Sequence, residues 1–191
     1  MAPEKSPNQA PNQQPSQPPI DPPLRPRVSP PDPSPIQSSQ SPIAGPCQNA
    51  LTEAEKALAL SPRDPGPHIL KALALDLLGH KTSALKSFDV ALSPPCVKSL
   101  SERERGEALV KRAELKIGLN RRRRVDSAVE DLVQAVRLSR GEGDDVTSFC
   151  LLGQCYEWKG MKEEAREAFE RALRAEPGSV LARQGLDRLR S

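Results

Sequence analysis

Few groups in this chain could do chemistry: two histidines, four cysteines and the run of four consecutive arginines from Arg121 to Arg124. His68 and His80 stand twelve residues apart, at opposite ends of one expected helix. That separation suits helix-end residues better than a shared metal or an acid–base pair. Cys47, Cys96, Cys150 and Cys155 include no C-x-x-C spacing, and two cysteines five apart on a helix point about 140° away from each other. Reduced thiols fit them better than disulfides or a zinc site. The chain holds no H-E-x-x-H, no G-x-S-x-G, no phosphate-cradling G-x-x-x-x-G-K-[ST] and no G-x-G-x-x-G. The expectation is a protein with no catalytic residue, no metal and no cofactor.

The arginine run admits three readings: a solvated loop between helices, a nuclear-import signal, or a contact for nucleic acid or another polyanion. Against the last, no aromatic residue interleaves to stack on bases, and Asp126, Glu130 and Asp131 follow closely. A net charge of +3 is too small to carry electrostatic binding by itself.

The elements that must position any site come next. Pro accounts for 21 residues, fifteen of them before Cys47. Residues 1–46 are rich in Pro, Ser and Gln and have no aromatic residue. Such a segment cannot bury enough apolar surface to offset the entropy of ordering, so it reads as a disordered tail. Its P-x-x-P spacing at Pro23 to Pro26 and its Ser-Pro pairs at Ser6, Ser29, Ser34 and Ser41 are weak signals for groove docking and phosphorylation. A membrane span needs about 20 apolar residues in a row, and the most apolar stretch, Ile69 to Leu78, is broken by Lys71 and Asp76. The opening MAPEKSPNQ has no basic region followed by an apolar core. Cytosol or nucleus is the expected location.

From Cys47 onward, apolar residues recur every three or four positions and helix punctuation is frequent. Asp64-Pro65 opens a helix, Gly79 closes it, Ser101-x-x-Glu104 has the form of a capping box, and Pro177-Gly178 separates two further helical stretches. One small-large-small pattern repeats: Ala50, Ala54, Ala57; then Ala84, Phe88, Ala91; then Ala128, Leu132, Ala135; then Ala165, Phe169, Ala172. Small residues let two helices approach while the larger one fills the gap between them. The domain is therefore expected to be all-α, a stack of helical hairpins.

These residues resemble the tetratricopeptide repeats. Residues 146–179 match that 34-residue pattern through Phe149, Leu152, Gly153, Tyr156, Ala165, Phe169, Ala172 and Pro177. Residues 65–98 match through Ala72, Leu75, Gly79, Ala84, Phe88 and Ala91; residues 106–145 form a degenerate unit with extra residues around Arg121 to Arg124 and Gly141 to Asp145. Residues 47–62 read as the second helix of a half repeat and 180–191 as a capping helix. The resemblance implies a solenoid of about three and a half repeats whose open face lines a groove for a protein or peptide partner.

On that face the helical period places Ile69, Leu73 and Leu77 from the first repeat, Glu107, Lys111 and Glu114 from the middle one, and Thr147, Leu151, Gln154 and Trp158 from the last. Trp158, large and nearly rigid, is the expected anchor. Well-known members of the family grip acidic chaperone tails in a clamp of Lys, Asn and Arg. The matching positions here are Ile69, Leu73, Lys111, Thr147 and Leu151, of which only Lys111 is basic and stands where the clamp has Asn. The resemblance thus implies a non-enzymatic interaction module that is not a carboxylate clamp, with a nuclear or nucleic-acid-associated role for the arginines as the alternative.

Overall fold

The helices that open at Pro65, Glu102 and Val146 each start where the sequence supplies a cap. The computed structural model describes residues 44–139 and 145–190, the side chain of Arg121 excepted. The Pro-rich segment before residue 44, with its P-x-x-P and Ser-Pro pairs, and the stretch 140–144 lie outside the described residues. The order is α1 (Ala44–Leu60), α2 (Pro65–Leu77), α3 (Lys81–Ala91), the single turn α4 (Pro94–Val97), α5 (Glu102–Leu138), α6 (Val146–Trp158), α7 (Lys162–Ala175) and α8 (Val180–Arg190). No strand occurs among the described residues. Helix α1 takes in Gly45 and Pro46, which the sequence reading assigned to the tail. A proline is tolerated there because the first turn has no N–H acceptor to lose.

The α2 helix opens with Pro65 at its first position and with the Asp64 carboxylate accepting the Gly66 N–H at 3.1 Å. It ends in a left-handed glycine, Gly79 at φ 82°, and α6 ends the same way at Gly160, φ 75°. In both places the N–H two residues after the last helical turn reaches back five residues, His80 to the Leu75 carbonyl at 2.8 Å and Met161 to Tyr156 at 2.9 Å. This paired-bond cap reverses the chain tightly and favours glycine at positive φ.

The middle unit turns differently. Helix α5 opens on the expected capping box, Ser101 Oγ accepting the Glu104 N–H at 3.2 Å while the Glu104 carboxylate accepts the Ser101 N–H at 2.9 Å. It is broken only at Asn120, whose backbone is extended at φ −158°, ψ 88°. The Asn120 side chain then accepts the Arg123 N–H at 3.2 Å and so caps the second arm. Arg121 to Arg124 therefore begin a helix and are not the inter-helix loop expected from sequence. Arginine is a good helix former, and no glycine or proline interrupts it. Halving the 37 residues of α5 around Asn120 gives arms of 18 each, against 13 in α6 and 14 in α7.

Consecutive helices pack as antiparallel neighbours, and α8 also reaches α6. Two apolar clusters form the core, one from α2, α3 and the first arm of α5, the other from both arms of α5 with α6, α7 and α8. The first arm joins them, giving Ala108 and Leu115 to one and Leu109, Val110 and Ala113 to the other. The small-large-small triads supply the seams: Ala84, Phe88 and Ala91, and likewise Ala165, Phe169 and Ala172, are no more than 1% exposed. Among the described residues no helix is long and apolar enough to cross a membrane.

Phe169 is the tightest point. A Cβ added at Gly153 would lie 2.6 Å from its ring, and one at Gly185 of α8 would lie 2.4 Å from it. The ring is wholly buried and has nowhere to swing. Gly153→Ala and Gly185→Ala should each lower stability by about 1–3 kcal/mol through overpacking. The check is the chemical-denaturation midpoint, alone and in a Phe169→Leu background, where both penalties should shrink. A full-sized penalty that persists without the ring would show that Phe169 is not what the glycines accommodate.

Candidate functional site

The face predicted from helical period contains a cavity of about 490 Å³. Helix α2 contributes Ile69 and Leu73, α3 the edge of Phe88, and α5 contributes Glu104, Glu107, Ala108, Val110, Lys111 and Glu114. Leu100 lies beneath, and Asp145 and Thr147 close the end beside α6. The floor is apolar and the rim is acidic. Leu73 is 37% exposed, while Ile69 is half-buried against the first cluster.

Several rim charges are held in place. The Ser101 hydroxyl bonds the Glu104 carboxylate at 2.7 Å and, with the Ser101 N–H, holds that acid below its usual range. Lys111 pairs with Glu114 at 2.8 Å, and Arg103, from outside the lining, pairs with Glu107 at 2.9 Å. The Asp145 carboxylate caps α6, accepting the Ser148 N–H at 3.3 Å and the Ser148 hydroxyl. The two surface ion pairs, Lys111–Glu114 and Arg103–Glu107, contribute little to stability.

Of the groove residues named from sequence, Ile69, Leu73, Lys111, Glu114 and Thr147 meet in this cavity. Leu77, Leu151, Gln154 and Trp158 do not line it. Leu77 is 68% exposed at the end of α2. Leu151 and Trp158 are half-buried against the larger cluster, and Gln154 is half-buried on α6. The cavity meets α6 only at its first turn, so residues one to three turns further along lie beyond it. The cavity thus takes in part of the face expected from helical period and leaves Leu77, Leu151, Gln154 and Trp158 outside its lining.

Arg122 and Arg123 are exposed and Arg124 is half-buried. Arg123 and Arg124 line an open hollow of about 590 Å³ with Thr82, Leu119, Asn120 and Ser127. It lies at the far end of the α5 arms, away from the cavity just described.

Between those arms lies a charged trio that sequence reasoning missed. The Asp131 carboxylate, 6% exposed, accepts Arg112 Nε at 2.9 Å, Arg112 Nη2 at 2.6 Å and Lys116 Nζ at 2.6 Å. Lys116 also donates to the Ser127 hydroxyl at 2.7 Å and carbonyl at 3.2 Å, and Arg112 reaches Asp89 of α3 at 3.2 Å. Burial works against the Arg112 charge, but the Asp131 carboxylate outweighs it and the pKa is raised. The available signal was Lys116, which follows Leu109 and Ala113 at core spacing.

All four cysteines are buried and unpaired. Burial raises the Cys150 thiol, which contacts Ser179 Oγ at 3.8 Å, and pushes Cys155 up to about 11. Cys150 is 3% exposed, and Ser179 of the turn before α8 lies against it. Among the described residues no cluster of His, Cys, Asp or Glu could hold a metal ion. The cap helix is fastened by Arg188, which grips Glu157 of α6 at 2.9 and 2.8 Å and lowers that carboxyl's pKa.

Helical hairpins stacked on small-large-small seams, with a cavity on the face of the first helix of each pair, define the chain as a helical-repeat protein. The fold is tetratricopeptide-like, and residues 146–179 match the family model described as Tetratricopeptide repeat. A crystal structure of MamA shares the fold at 18% identity over 77% of this chain and 78% of that one, with a TM-score of 0.64. MamA from Desulfovibrio magneticus RS-1 does so at 20% identity over 79% and 85%, TM-score 0.57. The APC/C hetero-tetramer Cut9-Hcn1 is similar at 19% identity and TM-score 0.65 over 77% of this chain but only 27% of that one. No curated protein matches the sequence.

Asp131→Ala would strand two cations between the arms, and removing one side of a buried ionic group costs roughly 3–5 kcal/mol. The denaturation midpoint should fall accordingly; an unchanged midpoint would mean the trio is hydrated and dispensable. A thiol reagent at neutral pH should leave Cys150 and Cys155 unmodified in the folded chain and reach all four cysteines after denaturation. Rapid modification of Cys155 under native conditions would contradict the packing of α6 between α5 and α7.

Proposed function

We propose that this chain is a protein-interaction scaffold that seats a peptide or helix of a partner in the cavity between α2, the first arm of α5 and the start of α6, and that it is not an enzyme. The observation that carries the reading is an exposed apolar seat, Leu73 with Ile69 beside it, inside an otherwise polar rim. Apolar side chains left open to water in a concave site mark a surface that is covered in use. The tetratricopeptide-like fold supports the same reading, since stacked hairpins present extended concave surfaces suited to binding. Four unpaired buried thiols suit a reducing compartment, cytoplasm or nucleus. Lys111, tied to Glu114, leaves no cationic pair to grip a C-terminal carboxylate, so acidic chaperone tails are not the proposed ligand.

Leu73→Arg, at a partly exposed position, should preserve helicity and abolish partner capture from cell extract, a loss on the order of 30-fold or more if Leu73 sits at a contact centre worth ~2 kcal/mol. Trp158→Ala should weaken capture less, since Trp158 lies outside the cavity. A variant with Arg121 to Arg124 changed to Gln should retain its partners at moderate salt. Loss of capture with that variant and retention with Leu73→Arg would move the site to the arginine hollow.

A further inference from the structure

Given the seat proposed above, its chemistry selects among ligands. The lining holds four carboxylates, Glu104, Glu107, Glu114 and Asp145, and one amine, Lys111, a balance of −3 in a protein whose overall charge is +3. The sign inversion is local: Arg122, Arg123 and Arg124 lie toward the opposite end of the α5 arms, and acids gather here. Counting Arg103, which reaches Glu107 from outside the lining, the balance is still −2. That outer pair is a weak neutraliser, because Arg103 is 88% exposed and its partner 64% exposed.

We infer that the groove takes a partner segment in which apolar side chains alternate with or adjoin arginine or lysine, a basic amphipathic peptide. Its apolar residues would cover Leu73 and Ile69, and its cations would meet Glu107 and Glu114 on the rim. Both acids project from the same helix as Ala108 and Val110 of the floor, seven residues apart, so two cations about two helical turns apart would each find one. A purely apolar ligand would leave the carboxylates facing it without their water, and an acidic one would add repulsion to that cost. A basic segment turns the same rim into the attractive part of the encounter, raising the rate of association as well as the selectivity. The inference rests on the seat proposed above but adds to it, because an apolar seat alone makes no demand on the sign of its partner.

The test is selection of a random dodecamer display library on the full-length chain, counter-selected on Leu73→Arg and on Glu107→Lys, the latter at an exposed position that leaves packing untouched. Peptides that depend on Leu73 should be enriched in Leu, Ile or Val next to Arg or Lys and depleted in Asp and Glu. A representative selected peptide should bind at least tenfold more weakly to a Glu107→Gln, Glu114→Gln double variant than to wild type, and that difference should shrink at high salt. Leu73-dependent peptides with no preference of charge, or with an acidic one, would overturn the inference while leaving the seat standing. Absence of any Leu73-dependent pool would overturn both. Selected peptides that reproduce the chain's own surface, together with concentration-dependent self-association relieved by Leu73→Arg, would assign the groove to a second copy and overturn the partner inference.

Discussion

One aromatic ring held between two missing side chains governs the C-terminal half of this protein. Phe169 of α7 lies against Gly153 of α6 and Gly185 of α8 at distances no Cβ could tolerate, so three helices share a single contact. Through α6 the contact reaches the second arm of α5, and through Arg188 and Glu157 the cap is locked to α6 a second time. Repeats in a solenoid touch only the repeats beside them. A fault at Phe169 therefore detaches the cap and exposes the last repeat, while the unit built on Phe88 keeps its own core. Stability in such a stack is local, and among the described glycines the closest approaches are to Phe169, between α6, α7 and α8.

The middle unit is held by different physics. Its seam has Leu132 where the flanking units have phenylalanine, and the trio of Arg112, Lys116 and Asp131 completes the interface between its arms. Among the described residues no buried side-chain nitrogen or oxygen lacks a partner, so the trio meets the condition under which buried charge is tolerable. Arg112 also ties Asp89 of α3 to the middle unit.

Legibility from sequence followed the size of the side chains. Alanine and phenylalanine at fixed spacing on facing helices state a packing rule directly, so the seams, the close approach at Gly153, the glycine turns and the capping box could all be read. Charged residues do not declare their burial. Asp131 sits beside Leu132 in the seam and reads as solvent-facing until Arg112 and Lys116, on the other arm, are brought to it. The turn at Asn120 was hidden because it uses an extended asparagine and a side-chain cap in place of glycine. Helical period identifies the face on which Leu151 and Trp158 lie but not how far along that face the neighbouring helices leave room for a cavity such as the one beside Leu73.

The two arms of α5 carry a consequence for how such a protein can change. Each exceeds its counterparts in the last repeat by four or five residues, a little more than one helical turn, or about 6–7 Å of rise. The seam through Ala128, Leu132 and Ala135 stays buried although the hairpin is taller. The added length meets at the elbow, where Leu119 packs against the first cluster and Asn120 departs from helical geometry. Sequence added at Asn120 would therefore fall between two arms whose core residues each keep their own helical phase.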